Sequence, residues 1–237
     1  MNFNTRSGLL ILAGGLTAGI ASTASANEMC VEYIRVRGNT VTINYDSSAS
    51  SSAAHRDGGN NALCGLMFFD VEGGGSLSAF CAEFQQPIQS GATYCFMETM
   101  VANLPGTGGA MGDLKAMAVA DHYYNNYGLI DTVTGDNTVA NAAFQAVLWE
   151  IIEENWGGTN TSELSLELGA MQFNDLTTEV EELANQMLAS LDLMNSMDIV
   201  GWANEETQDI ITVTVVPGPS IALAGMIGLV GIRRRRR

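Results

Sequence analysis

Basic residues are scarce in this sequence, and charged residues of either sign are few. Across 237 residues there are 10 Lys and Arg against 26 Asp and Glu, and only 15% of the residues are charged. The negative excess excludes a protein that binds nucleic acid or anionic membranes, because both need positive surfaces. With 46% apolar residues, the chain is also too hydrophobic for an acidic disordered tail.

The motifs of the common enzyme classes are missing as well. There are only two histidines, His55 and His122, and neither stands in a pattern that predicts a catalytic base. The sequence contains no Gly-x-Ser-x-Gly elbow, no phosphate-binding loop and no Cys-x-x-Cys pair of a zinc site. It therefore predicts a protein that is not an enzyme and has no resident metal or cofactor.

Two acidic segments are weak candidates for binding Ca²⁺. Residues 131–137 lack the Gly and Glu spacing of an EF-hand loop. Glu150, Glu153 and Glu154 fall on one face of a predicted helix and could hold a cation, but a solvated charged face is the expected arrangement. Calcium binding therefore stays a secondary expectation.

The first 26 residues have the tripartite pattern of an export signal. Arg6 provides a positive start, an apolar run covers 8–20, and residues 24–26 form an Ala-Ser-Ala cleavage site. The pattern predicts a protein that is exported and loses residues 1–26. An uncleaved membrane anchor is the alternative.

The chain ends with a proline motif, a short apolar segment and a run of arginines. The motif reads Val-Pro-Gly-Pro at 216–219, and the apolar segment covers 221–232. This arrangement resembles the PEP-CTERM sorting signal, in a variant with Gly218 in place of the family's glutamate. The residues that carry the resemblance are Val216, Pro217, Pro219, Arg233, Arg234, Arg235, Arg236 and Arg237.

The resemblance implies a route through the cell envelope. Segment 217–237 would anchor the protein transiently in the inner membrane, an exosortase-like sorting protease would cut near the prolines, and the product would reach the cell surface or extracellular matrix. Twelve apolar residues span roughly 18 Å as a helix, less than the ~30 Å hydrocarbon core, so a simple tail anchor is the alternative. If both ends are removed, residues 27–216 contain four basic residues and all 26 acidic residues, which gives a net charge of −22.

Residues 27–216 are enough for one packed α+β domain. Alternating apolar residues predict strands at 31–45, 63–71, 77–84, 92–101, 199–202 and 210–216. Periodic apolar stripes predict helices at 113–127, 140–152 and 176–191, with Asp113 and Asp175 as caps of the first and last. We expect a β-rich sandwich or barrel-like sheet with two to three inserted helices.

One pair of residues stands out as a candidate for chemistry. Cys81 lies on a predicted strand, and Gln145 precedes Trp149 by four residues on the strongest predicted helix, beside its apolar stripe. We expect Gln145 to be half-buried, and a buried carboxamide needs a partner. The pair resembles the bacterial Cys-Gln thioester domain, although Phe144 stands where that family has threonine and Val147 where it has a small residue.

The resemblance implies a covalent attachment site. In that family a strand Cys attacks a helical Gln side chain, expels ammonia and leaves an internal thioester that acylates an amine or hydroxyl on a target. Here Cys81 and Gln145 would form the cross-link, and Phe84, Phe144 and Trp149 would supply a dry pocket. Gln145 as an ordinary structural hydrogen-bonding residue is the alternative.

The four cysteines bear on the same question. An even number in an exported protein predicts disulfides, and Cys30, Cys64, Cys81 and Cys95 allow three connectivities. Cys81 and Cys95 are symmetric about residue 88 and could face each other across a hairpin. A thioester at Cys81 would leave Cys30, Cys64 and Cys95, which allow at most one disulfide. The even number of cysteines by itself favours two disulfides.

The sequence thus supports an exported surface or matrix protein used for adhesion or attachment, covalently if the thioester forms. Its partners would be surface amines or hydroxyls, or exopolysaccharide. The alternative is a non-covalent structural or cation-binding component of the biofilm matrix. A hydrolytic enzyme is the weakest possibility, because the sequence offers no histidine base or metal cluster.

Overall fold

The computed structural model describes residues 27–46 and 59–213. The predicted signal peptide at 1–26 lies outside this part, and so do Val216 and the predicted sorting segment at 217–237. Among the described residues, no helix combines the length and apolar content needed to cross a membrane.

The described part is a mixed α+β domain, as the sequence predicts. It contains nine strands and three α-helices, with the helices between the early and late strands. The strands are β1 (Glu28–Tyr45), β2 (Asn60–Val71), β3 (Ser76–Cys81), β4 (Thr93–Thr99), β5 (Pro105–Gly106), β6 (Gly109–Ala110), β7 (Met171–Asn174), β8 (Ile199–Ala203) and β9 (Ile210–Val213). The helices are α1 (Gly112–Asn126), α2 (Thr138–Glu153) and α3 (Thr178–Ala189).

Seven of these strands form one antiparallel sheet that closes on itself. The strand order is β2-β3-β9-β8-β4-β1-β7, and β2 pairs in addition with β1. β1 makes this closure possible because it is long: Glu28–Glu32 pair with β4, Thr42–Tyr45 pair with β7, and Val31–Ile43 pair with β2 along the other edge. The large antiparallel sheet with its helices is consistent with the β-rich, sandwich-like α+β fold that the sequence predicts.

β1 and β2 approach each other most closely at a pair of glycines. Gly38 and Gly65 are direct partners in the register. A Cβ on Gly38 would lie 1.9 Å from the Cys64 carbonyl oxygen, and one on Gly65 would lie 2.3 Å from the Arg37 carbonyl oxygen. Only glycine fits at these two positions, because a side chain would push the strands apart.

Helix α2 is the centre of the core. It packs against β1, β2 and β3 on one side and against α1 and α3 on the other. Asn137 caps it by accepting a hydrogen bond from the backbone N–H of Ala140 at 3.3 Å. Every residue from Ala140 to Glu153 is buried, so the helix is covered all round, and Gln145 is fully buried instead of half-buried.

Both predicted acidic caps are wrong. Asp113 lies inside the first turn of α1, after Met111, and makes no capping bond; there its charge meets the positive end of the helix dipole. Asp175 lies before Thr177, the residue at which α3 begins, and accepts a hydrogen bond from Thr42 Oγ1 at 3.1 Å. The chain turns at Asp175 with a φ of 62°, so its side chain points to β1 and away from the helix.

One disulfide is present, and it joins Cys30 to Cys95. The two residues are register partners on β1 and β4. The alternative of a facing Cys81–Cys95 pair is wrong, because β9 and β8 lie between β3 and β4. The prediction of two disulfides from the even number of cysteines is also wrong, because Cys64 and Cys81 are free and buried.

Candidate functional site

Cys81 and Gln145 are in direct contact. The backbone N–H of Cys81 donates to Oε1 of Gln145 at 2.8 Å. Nε2 of Gln145 donates to the carbonyl oxygen of Cys81, also at 2.8 Å. The side-chain amide of a helix residue therefore pairs with the backbone amide of a strand residue, across 64 positions of sequence.

The local structure on both sides explains why they meet. β3 stops at Cys81, where it pairs with Ile210, and Ala82 then donates its N–H to the Asp209 carbonyl oxygen. The strand was predicted to continue to residue 84, but the chain turns after this bond. Beyond its end, Cys81 has free backbone groups on the side that faces α2, and Gln145 satisfies both.

The thiol of Cys81 has its own contacts. Sγ donates to the carbonyl oxygen of Glu83 at 2.7 Å, and the indole of Trp149 lies on its other side. Burial raises the pKa of this thiol well above its usual range; the bond to Glu83 and the Trp149 indole oppose that rise only in part. Cys81 is therefore a protonated thiol at neutral pH.

The three aromatic residues expected to form the pocket lie in two different places. The Phe84 ring meets Trp149 edge to face at a centroid distance of 6.2 Å, and the two line a cavity together with Cys81. Phe144 lies on the other side of Gln145 and stacks on Phe80 with centroids 4.4 Å apart. Phe144 is thus part of the core behind the Gln145 amide, not of the cavity wall.

His122 lies against the same core and cannot act as a base near neutral pH. Its ring is 4.0 Å from that of Phe144, centroid to centroid, and Nε2 contacts the Phe144 carbonyl oxygen at 3.1 Å. Burial lowers the pKa of His122 to about 3. The described part of the chain therefore offers no histidine that can activate Cys81; His55 lies outside it.

A cavity of about 530 Å³ opens beside Cys81, within the usual range for small-molecule sites. Tyr33 from β1, Trp149 from α2 and Phe84 from the turn after β3 line it. The sequence did not indicate Tyr33 or Gln208 as members of the site, because they lie far away along the chain. The full lining is Tyr33, Val36, Asn61, Ala62, Leu63, Gly65, Met67, Cys81, Phe84, Gln85, Gln86, Pro87, Ile88, Trp149 and Gln208.

Glu83 follows Cys81 by two residues and lines a second cavity. Its Oε1 accepts from Gln86 Nε2 at 3.4 Å, while Oε2 is buried without a hydrogen-bond partner among the described residues. Burial raises the pKa of Glu83, and the pKa of Asp209, which lines the second cavity with it, is raised by burial to about 6. Sequence reasoning missed Glu83 because nothing in the local pattern distinguishes it from other surface glutamates.

The acidic face expected at the end of α2 is not solvated. Glu150, Glu153 and Glu154 are all buried. Lys115 lies among them, and its Nζ donates to the carbonyl oxygens of Ile152 at 2.8 Å and Glu154 at 2.7 Å. Burial raises the pKa of all three carboxyls, to about 7 for Glu153. The expectation of a solvated face is wrong because the strand β7 and its preceding loop cover it.

No described group of side chains forms a convincing metal site. Carboxylate and sulfur atoms of Glu28, Cys30 and Cys95 come together. The two sulfurs are joined in the disulfide, so they are not the thiolates that bind metals. Cys64, the other free thiol, instead donates to the Ala142 carbonyl oxygen at 3.1 Å.

Comparison with known proteins adds little. No protein-family model matches the chain, and no curated protein matches it. Among solved structures, the chain is similar to the pilus-presented adhesin Cpa, with 11% sequence identity and a TM-score of 0.39. The match covers 77% of this chain and 46% of that one, so this chain spans less than half of the adhesin chain. Because identity and TM-score are both low, no functional conclusion follows from the likeness.

Proposed function

We propose that the protein is an exported surface or matrix protein that attaches covalently to a target through a thioester between Cys81 and Gln145. The observation that carries the proposal is the reciprocal pair of 2.8 Å hydrogen bonds between the Gln145 side chain and the Cys81 backbone. They hold the Gln145 carboxamide against the backbone of Cys81, whose free thiol side chain lines a cavity.

The thioester forms by one substitution at the side-chain carbon of Gln145. The Cys81 thiol turns from the Glu83 carbonyl oxygen toward this carbon, the new S–C bond forms, and the C–N bond of the amide breaks. The thiol proton leaves with the nitrogen, so the products are the thioester and ammonia. No oxidant or cofactor is needed.

Two features of the contact favour this step. The Cys81 N–H donates to Oε1 of Gln145. This bond polarises the carbonyl and stabilises the negative charge that develops on the oxygen during attack. The aromatic rings of Phe80 and Phe144, both buried, keep water from the amide side. The high pKa of the thiol opposes the step, so we expect cyclisation to be slow and to occur once per molecule after folding.

The chain is also protected from reacting with itself. A thioester acylates neutral amines, and the sequence contains a single lysine, Lys115. Its Nζ is held by two backbone carbonyl oxygens at the end of α2, and the residue is buried. No lysine side chain of this chain is therefore available as an acceptor, so an amine acceptor on a lysine belongs to another molecule.

Intact mass spectrometry of the native protein tests the thioester. We expect a mass lower by one ammonia than that calculated from the mapped termini, and an adduct when methylamine is added. Cys81→Ala and Gln145→Ala should each abolish both signals. Cys64→Ala is the matched control, because Cys64 is the other free buried cysteine and its thiol donates to the Ala142 carbonyl oxygen; it should keep both signals.

Alkylation of Cys81 distinguishes between the two alternative roles of Gln145. If the calculated mass is found and Cys81 reacts with iodoacetamide after denaturation, Gln145 serves only as a hydrogen-bonding partner of the strand end. The proposal would then be rejected.

The same spectrum tests export and sorting. We expect a mature chain that starts after Ala26 and ends near Pro217. A chain recovered with both Met1 and Arg237 would contradict processing at the two ends.

A further inference from the structure

None of the described residues that line the cavity beside Cys81 carries a carboxylate, guanidinium, ammonium or imidazole group. This is unusual within a domain whose net charge is strongly negative. Its walls are aromatic and aliphatic, and its polar members are carboxamides. The chemistry of the lining therefore differs from that of the surrounding surface and restricts what can bind there.

The carboxamides are available to a ligand. Gln85 is exposed and Gln208 half-buried, and neither side-chain amide has a hydrogen-bond partner within residues 27–46 and 59–213. The amide of Asn61 is at the same opening and accepts only from Thr42 Oγ1, at 3.2 Å. A carboxamide offers donors and an acceptor together, which matches hydroxyl groups that also donate and accept.

The aromatic walls of the cavity suit the apolar part of such a ligand. Tyr33 and Trp149 are almost completely buried, at 6% and 2% exposure, and form part of the lining. The Tyr33 hydroxyl has no hydrogen-bond partner among the described residues, and its pKa is raised by burial and, to a smaller extent, by the nearby Cys81. A sugar ring presents both apolar C–H faces for such rings and hydroxyls for such a phenol.

An amine acceptor fits this lining less well. A lysine side chain has a pKa of about 10.4 and enters as an ammonium ion. Transfer of that ion into a site without a carboxylate is costly, and the amine must lose its proton before it can attack. A hydroxyl is neutral when it arrives, so it does not carry the cost of burying a charge, and it gives up its proton only during the attack.

We infer that the cavity beside Cys81 binds a neutral polysaccharide segment and presents one of its hydroxyls to the Cys81–Gln145 thioester. This inference rests on the function proposed above. The hydroxyl oxygen bonds to the Gln145 carbonyl carbon, the S–C bond breaks, and the hydroxyl proton ends on the Cys81 sulfur. The product is a sugar ester of the residue 145 side chain and a free thiol.

A competition between acceptors tests the inference. The intact protein is incubated with a neutral glucose oligomer or with Nα-acetyl-lysine amide at equal concentration, and methylamine serves as the reporter of any thioester. We expect the glucose oligomer adduct to exceed the lysine adduct by about tenfold or more. Hydroxylamine should remove the sugar adduct, because it is an ester, and should leave a lysine adduct intact.

Variants at the opening sharpen the test. Gln208→Ala and Gln85→Ala should lower the yield of sugar adduct several-fold relative to the methylamine adduct of the same variant. Gln186→Ala is the matched control, because Gln186 is an exposed glutamine on α3, away from the cavity; it should leave the ratio unchanged.

The outcomes separate the two proposals. A lysine adduct equal to or larger than the sugar adduct, with the ammonia deficit present, overturns the sugar acceptor and leaves the thioester standing. If neither deficit nor methylamine adduct is found, the thioester fails and the ester with it. A titration of tryptophan fluorescence with the glucose oligomer then shows whether the cavity still binds sugar reversibly; a flat titration rejects that as well.

Discussion

Phe144 shows how far one residue of α2 supports the candidate site. Its ring is fully buried, stacks on Phe80 and contacts the rings of His122 and Tyr123. Phe144 also precedes Gln145, so the position of the carboxamide depends on the packing of this ring. In this chain the phenylalanine fills space, whereas the threonine expected from the family resemblance would offer a hydroxyl.

We predict that Phe144→Ala lowers the free energy of unfolding by about 3–5 kcal/mol, because it leaves a cavity in the packed core. Urea denaturation followed by tryptophan fluorescence measures this. Val133→Ala, at a side chain that is 83% exposed, should change stability by no more than about 0.5 kcal/mol. Equal effects of the two variants would contradict the packing described for α2.

Glu153 is a single residue that makes the stability of the fold depend on pH. Its Oε2 accepts from the Tyr45 hydroxyl at 3.1 Å, and burial raises its pKa from 4.5 to about 7. Since the folded pKa is the higher one, the unfolded chain loses this proton first as pH rises. Stability is therefore retained below about pH 4.5 and falls between pH 4.5 and 7, by roughly 3 kcal/mol for this group.

We predict that Glu153→Gln raises stability at pH 8 and flattens the decline between pH 5 and 8, because the amide still accepts from Tyr45 but carries no charge. Chemical denaturation at the two pH values measures the change. Glu182→Gln, on the exposed face of α3, is the control and should leave the decline as it is. An unchanged decline in Glu153→Gln would show that other groups cause it.

At the scale of elements, the β1–β2 pair determines where the cavity can form. Gly65 is at the closest approach of the two strands and also lines the cavity beside Cys81. The long β1 then carries Tyr33 to the same wall and reaches β7 with its last residues. A change in this register would therefore move the lining and not only the sheet.

We predict that Gly65→Ala lowers the free energy of unfolding by about 1–3 kcal/mol or more, because the new methyl group meets the Arg37 carbonyl oxygen at 2.3 Å and the backbone must shift. Gly128→Ala is the matched control, since a Cβ there meets nothing within 4 Å and the backbone is not in the left-handed region. Thermal melting of both variants decides the point. A Gly65→Ala protein as stable as Gly128→Ala would mean that the strands are not so close.

At the scale of the whole molecule, one disulfide joins two neighbouring strands of the sheet that are distant in sequence. Cys30–Cys95 ties β1 to β4 across 65 residues of sequence. It also uses two of the four cysteines and leaves Cys81 as a thiol, which the proposed chemistry requires.

We predict that removing this disulfide, by the double change Cys30→Ser and Cys95→Ser, costs about 4 kcal/mol, because the unfolded chain regains the entropy of a long loop. The measurement is denaturation with and without reductant. Reductant should destabilise the original protein and leave the double variant unaffected. Resistance of the variant to urea equal to that of the original protein would contradict this.

The buried carboxyls act together at this scale. The pKa values of Glu83, Glu150, Glu154 and Asp209 are raised by burial, as is that of Glu153. All five shifts have the same sign, so these carboxyls together lower the stability of the domain as pH rises, whereas His122, whose pKa burial lowers to about 3, acts in the opposite direction as pH falls below the usual pKa of histidine. Glu83 and Glu150 each keep one buried oxygen without a hydrogen-bond partner among the described residues, and the charge of Lys115 offsets the effect of burial on Glu150, Glu153 and Glu154 only in part.

Local patterns in the sequence determined the fold class, the places of most strands and the three helices. They did so because apolar spacing depends only on the period of each element. The resemblance to the Cys-Gln thioester domain, carried by Gln145 and by Trp149 four residues later, singled out Cys81 and Gln145 as a pair. What only the tertiary structure decided was how distant segments meet: the Cys30–Cys95 link, the burial of Glu150, Glu153 and Glu154, and the uncharged lining beside Cys81. Those depend on strand order and on which segments cover a helix, and no short-range period encodes either.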